Sequence, residues 1–190
     1  MISGFAQNGR CRQALNLFHE MQRAHWGGGS THVNEAVPFK GKPLQVSLNN
    51  ALVHIYSSCG AVDKAYRVFK SMSWRTTISW TSMIMGFAKQ SRGKEVLDVF
   101  QWMLRVAIDE VRPDEITFDG VLCACSHARY VIEVRHYFNS MNEKWRNEPT
   151  IEHYECMVDL LSRAGYLDEA FELVELMRMK PNEAANEAKH

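Results

Sequence analysis

His153-Tyr154-Glu155, followed directly by Cys156, gathers more chemically active residue types than any other short stretch of the chain. In zinc deaminases an HxE tripeptide supplies a metal ligand and the general acid/base, and a later PCxxC supplies the remaining ligands. No PCxxC follows here, so the tripeptide is rejected as a zinc site. The cysteines are Cys11, Cys59, Cys123, Cys125 and Cys156, an odd number with no CxxC spacing. That pattern argues against a disulfide framework and against a zinc ribbon. The expectation is five reduced thiols packed as small hydrophobes. Nucleophile-elbow, P-loop and dinucleotide-binding glycine signatures are also missing. The sequence therefore predicts no enzymatic activity, no metal, no cofactor and no small-molecule substrate.

The elements that carry these residues follow from a period. Five segments align without gaps, beginning at Met1, Leu52, Met83, Val121 and Met157, with successive steps of 51, 31, 38 and 36 residues. Each opens on an apolar stripe at helical spacing, as in Met1, Ile2 and Phe5, in Leu52, Val53 and Tyr56, or in Met157, Val158 and Leu161. A turn follows, at which Gly9, Gly60 and Gly165 suit the left-handed conformation that ends a helix. Next comes a small or β-branched residue (Ala14, Ala65, Val96, Val134, Ala170), then a bulky apolar one (Phe18, Phe69, Phe100, Phe138, Val174). A methionine closes each set: Met21, Met72, Met103, Met141 and Met177. Two stripes on two helices make a helical hairpin. One hairpin cannot bury both stripes alone, whereas a stack buries a continuous core. The predicted fold is all-α, an α-solenoid of stacked antiparallel hairpins, with the stripe residues in its core. HWGGGST, from His25 to Thr31, interrupts the pattern as a flexible linker, and three further residues interrupt it near 107–110.

Composition is consistent with an ordinary folded chain and excludes little else. Its 190 residues are 46% hydrophobic and 23% charged, which argues against wholesale disorder. No apolar run approaches the ~20 residues that span a bilayer. Formal charge is zero, but it is unevenly placed. Residues 1–113 hold 14 basic and 7 acidic side chains, and residues 114–190 hold 8 and 15. The basic half can attract phosphate, whereas the acidic half opposes it.

Four stretches carry a family resemblance: LNNALVHIYSSCG, ISWTSMIMGFAKQ, RPDEITFDGVLCACSHA and HYECMVDLLSRAGYLDEA. The chain resembles a pentatricopeptide repeat (PPR) protein, a family whose repeats have about 35 residues. It is most similar to the plant subclass that alternates standard, long and short repeats and serves in organellar RNA editing. Mapped on that family, residues 1–26 are a partial repeat and 27–45 a degenerate spacer. A short repeat occupies 46–76, a standard repeat 77–114, a long repeat 115–150 and a short repeat 151–182, before a tail at 183–190. The array so implied is about four and a half repeats, cut from a longer one at both ends.

The resemblance implies that each hairpin reads one base of single-stranded RNA with two or three side chains. Carried over, the readers are Asn50 with Thr76, Thr81 with Asp114, Asp119 with Thr150, and Glu155 with Asn182. Thr81 with Asp114 resembles a guanine pair and Asn50 a pyrimidine reader, while Asp119 and Glu155 match no familiar pair. A flanking apolar side chain would sandwich each base. The alternative for the same residues is plain helix capping, since Thr, Asp and Asn favour helix starts. Further implications are action as an adaptor in C-to-U editing, editing accessory proteins or a deaminase in trans as partners, and a mitochondrial or chloroplast location without membrane attachment. A protein-binding solenoid scaffold and a truncated, inactive fragment are the alternatives.

Overall fold

The computed structural model describes residues 43–106 and 111–187, together with Gln13, Asn16 and Glu20, with side chains over 46–106 and 111–177. The first repeated segment, from Met1, and the GGGS linker lie outside the described residues. Every described element is an α-helix. The chain divides into two compact units, Met1–Gln90 and Ser91–His190, each described by itself.

In the first unit, α1 (Pro43–Ser58) packs on α2 (Val62–Ser71) and α3 (Thr77–Ala88), and α2 packs on α3. Gly60 joins α1 to α2 at φ 73° with open space around it, the left-handed turn the sequence predicts there. Between these helices lie Val53, Ile55, Val62, Ala65, Phe69, Trp80, Met83 and Phe87, all buried. Phe69 meets Trp80 edge-on at 4.9 Å, and Tyr66 meets Phe87 at 5.4 Å. Contact between α1 and α3 is close, because a Cβ on Gly86 would stand 2.4 Å from Ser57 Oγ. The predicted stripe on α1 shifts by one position. Val53 and Ile55 are buried while Leu52 and Tyr56 are half-buried, because α1 is covered by two neighbours rather than one.

In the second unit, α4 (Gly93–Val106) packs on α5 (Glu115–Ala128), and α5 on α6 (Val131–Glu143) and α7 (Ile151–Ala164). Helix α7 also meets α6 and α8 (Leu167–Glu187). Helix–helix contact is again tight at a glycine: a Cβ on Gly93 would lie 2.7 Å from Ala128 Cβ. Phe100 stands edge-on to both Phe118 and Tyr137, at 5.6 and 5.1 Å. The expected core residues Val96, Phe100, Met103, Val134 and Met141 are buried. Phe138 departs from the expectation. Tyr137 takes the buried place, and Phe138 turns to the ring of Tyr154 at 5.3 Å, half-buried. Met177 and Val174 on the last helix are also only half-buried.

The turns between hairpin helices show how strongly the repeat dictates backbone. Gly60 and Gly165 have positive φ, at 73° and 86°, and the aligned positions Ser91 and Arg129 adopt it without glycine, at 55° and 59°. One cysteine expectation fails. Cys59 is disulfide-bonded, whereas Cys123, Cys125 and Cys156 are free. Among the described residues no helix is long and apolar enough to cross a membrane, and no group of His, Cys, Asp and Glu could hold a metal ion.

Candidate nucleic-acid interface

Three of the carried-over readers start helices. Thr76, Asp114 and Thr150 are the N-caps of α3, α5 and α7, each in extended backbone conformation. The helix N-terminus leaves backbone N–H groups without intrahelical partners, and short oxygen-bearing side chains satisfy them. Asp114 Oδ1 accepts from the backbone N–H of Thr117 at 2.8 Å. In return, the third residue of each helix accepts from the N-cap backbone N–H. Ser79 does so for Thr76 at 3.0 Å, Thr117 for Asp114 at 3.3 Å, and His153 Nδ1 for Thr150 at 2.9 Å. The capping expected as an alternative is therefore present in all three.

Two of these third residues, Ser79 and His153, also reach the first helix of the preceding repeat. In the first unit, Ser79 Oγ donates to Asn50 Oδ1 at 2.7 Å. Asn50 Nδ2 in turn lies 3.5 Å from Thr76 Oγ1, so Asn50 and Thr76 meet around Ser79. In the second unit, His153 stands between Thr150 and Asp119. Its Nδ1 accepts from Thr150, which places the proton of a neutral ring on Nε2. Nε2 faces the Glu115 carbonyl at 3.2 Å and Asp119 Oδ1 at 2.9 Å. The ring is fully buried. Burial pushes the Asp119 carboxyl above its ordinary range against the pull of His153, and Glu152, Glu115 and Asp114 push the same way. The HxE histidine is thus a structural link between two first helices.

The remaining readers are placed less evenly. Thr81 is 8% exposed on α3, and Asp114 belongs to the other unit. Glu155 is exposed on α7. Asn182 falls within α8, which continues to Glu187, and its side chain lies outside those described. Sequence reasoning left the flanking apolar residues unnamed. The structure exposes Ile78 at 65%, one turn before Thr81, and Ile116 at 54%, one turn before Asp119. Their signal was an isoleucine at the second position of a helix where an inward stripe does not need it. Ser79 and His153 were also missed, although their spacing of three from Thr76 and Thr150 is the capping-box spacing.

Among the described residues of the first unit, Lys64, Arg67 and Lys70 are exposed on its second helix. Arg75 is committed elsewhere. It donates to the Phe69 and Lys70 carbonyls at 3.0 and 2.9 Å and lies over the Phe69 ring at 4.9 Å. Burial and Lys89 together hold the His54 imidazole, one turn beyond Asn50, below its ordinary proton affinity.

The family model described as "PPR repeat" matches residues 1–25, 50–75, 78–105 and 152–181, more than half of the chain. The chain belongs to the PPR family. Among curated relatives, it is 44% identical over 142 residues to the Arabidopsis thaliana pentatricopeptide repeat-containing protein At2g13600, covering 75% of this chain and 20% of the relative. The chloroplastic Arabidopsis thaliana protein At3g49170 is 45% identical over 153 residues, covering 78% and 18%. At1g59720, described as chloroplastic/mitochondrial, is 36% identical over 203 residues, covering 96% and 32%. The chain thus spans between about a fifth and a third of the length of these relatives. The crystal structure of maize PPR10 has a TM-score of 0.63 at 21% identity, covering 94% of this chain and 23% of that one. The PPR domain of Arabidopsis thaliana protein-only RNase P 1, in complex with tRNA, has a TM-score of 0.66 at 13% identity, covering 93% and 85%. At these identities the likeness shows the fold, a PPR-type α-solenoid, while the sequence matches show a PPR protein of plant type.

Proposed function

We propose that this PPR chain binds single-stranded RNA along the edge where the first helices of successive repeats begin, one base per repeat. The observation that carries the reading is a repeated arrangement. A side chain on one first helix (Asn50, Asp119) and the N-cap of the next (Thr76, Thr150) converge on one bridging residue (Ser79, His153). Polar groups recurring once per repeat can meet bases one at a time. Exposed Ile78 and Ile116 offer apolar surfaces for stacking, worth ~1–3 kcal/mol per base. That PPR10 was crystallised with an 18-nucleotide psaJ RNA element, at a TM-score of 0.66 to this chain, supports the class of ligand.

The finer reading assigns a pyrimidine to Asn50 with Thr76 and guanine to Thr81 with Asp114, whose carboxylate accepts from donors on the guanine pairing edge. In the cell the chain acts as an adaptor in organellar C-to-U editing, in the mitochondrion or alternatively the chloroplast, with accessory proteins or a deaminase supplied in trans. Binding to panels of short RNAs tests the reading. Affinity should fall steeply with salt and drop when guanine opposite residues 81 and 114 becomes adenine. Salt-independent binding would point instead to a protein-binding scaffold, and indifference to the base change would remove the assigned pair.

A further inference from the structure

We propose that Cys123 and Cys156 form a dithiol that a hydroperoxide oxidises to a disulfide joining α5 to α7. The two cysteines lie on packed first helices of adjacent repeats. Asp119 meets His153 at 2.9 Å and Ser126 meets Asp159 at 2.9 Å along this seam, and Cys123 and Cys156 fall between those contacts, so the register sets one thiol against the other. Both are partly exposed, so a small oxidant can reach them. The His127 ring, one turn along α5, brings Nδ1 to 3.9 Å from Cys123 Sγ. Cys125 is the internal contrast: free and on the same helix, but buried.

The electrostatics divide the pair into two roles. The hydrogen bond from Cys156 holds the Cys123 thiol down to about 6, with the His127 charge adding to it against burial, Asp119 and Asp159. The same bond raises Cys156, which keeps its proton. Burial pushes Cys125 up to about 12. A thiolate is the nucleophile, so Cys123 attacks first. Its sulfur displaces hydroxide from hydrogen peroxide: an S–O bond forms, the O–O bond breaks, and the hydroxide leaves as water after taking a proton. Cys123 is now a sulfenic acid. The Cys156 sulfur then attacks the Cys123 sulfur. An S–S bond forms, the S–O bond breaks, and the hydroxide leaves with the Cys156 proton as a second water. Two thiols and one peroxide give one disulfide and two waters, both electrons coming from sulfur. The inference does not depend on what the reading edge binds.

The test treats the full chain with hydrogen peroxide, blocks remaining thiols with iodoacetamide and maps peptides by mass spectrometry. The expected product links Cys123 to Cys156 with loss of two hydrogens and leaves Cys125 alkylated. Without peroxide, at pH 7, Cys123 should alkylate at least about tenfold faster than Cys125. Its rate should rise as pH passes through about 6 and then level off, because the reactive form is the deprotonated one. In Cys156→Ser the sulfenic acid should persist and be captured by dimedone. Cys125→Ser should leave the link intact. Recovery of both Cys123 and Cys156 as alkylated thiols after peroxide, or a link from either to another cysteine, overturns the proposal. The wild-type map alone decides it if a variant does not fold.

Discussion

The seam between α1 and α3 in the first unit and the seam between α5 and α7 in the second join equivalent helices by different chemistry. In the first, Asn50 meets Ser79, and further along Ser57 faces Gly86 with no room for a Cβ. These two contacts are uncharged, and the second relies on close backbone approach. In the second, Asp119 faces His153, Cys123 lies beside Cys156 in the same register, and Ser126 donates to Asp159 at 2.9 Å while Arg163 bridges Ser126 and Asp159. The joint is polar along its whole length and carries ionisable groups. One backbone plan therefore tolerates either solution, and the choice decides which seam responds to oxidation. It also decides that Asp119 is held by a fixed imidazole and Asn50 by a rotatable hydroxyl.

Substitutions at the bridging residue break the comparison most sharply. His153→Ala removes a buried ring and leaves the Thr150 N–H without its acceptor. It should cost about 2–4 kcal/mol, measured as a fall in the urea midpoint. Ser79→Ala removes a smaller group from the equivalent place and should cost about 1 kcal/mol. Equal losses would mean that the two bridges are energetically alike. Gly86→Ala should cost about 1–3 kcal/mol through overpacking against Ser57, and Ser57→Gly in the same chain should recover part of it.

Smaller effects separate the turns. Gly165→Ala should cost about 1 kcal/mol, since Gly165 has positive φ and open space around it. Arg129→Gly, at the aligned turn where a non-glycine residue bears the same strain, should stabilise by about 0.5–1 kcal/mol. Both are read from thermal or urea unfolding. The smallest effect concerns His54. Its proton is held less tightly in the fold than in the unfolded chain, whose value is 6.5. Its contribution is complete above that pH and is lost as pH falls below it. His54→Gln should therefore flatten the decline in stability between neutral and mildly acid pH.

The repeat positions with strong local signals were legible. Phe69, Phe100, Met72, Met103 and Met141 are buried where the period places them, because a stripe at helical spacing must face a neighbour. Phe138 was misjudged because Tyr137 and Phe138 are adjacent and both bulky, and only the packed neighbours Phe100 and Tyr154 decide which turns inward. His153 is weighed in the sequence only against a zinc site, and its bridging place is not legible there. Capping within α7 is a local relation of three residues, but its approach to Asp119 joins positions 34 apart.

The sequence by itself determined the hairpin period, the helical class, the family and the left-handed turns at Gly60 and Gly165. Each of these depends on relations within a few residues or on repetition of such relations. Tertiary structure decided which polar side chains meet across first helices, which cysteines fall side by side between those contacts and that Cys59 is disulfide-bonded. Those outcomes depend on how far one helix slides and how closely it approaches the next. Packing at points such as Gly86 and Gly93 sets both quantities, and residue spacing along the chain does not encode them.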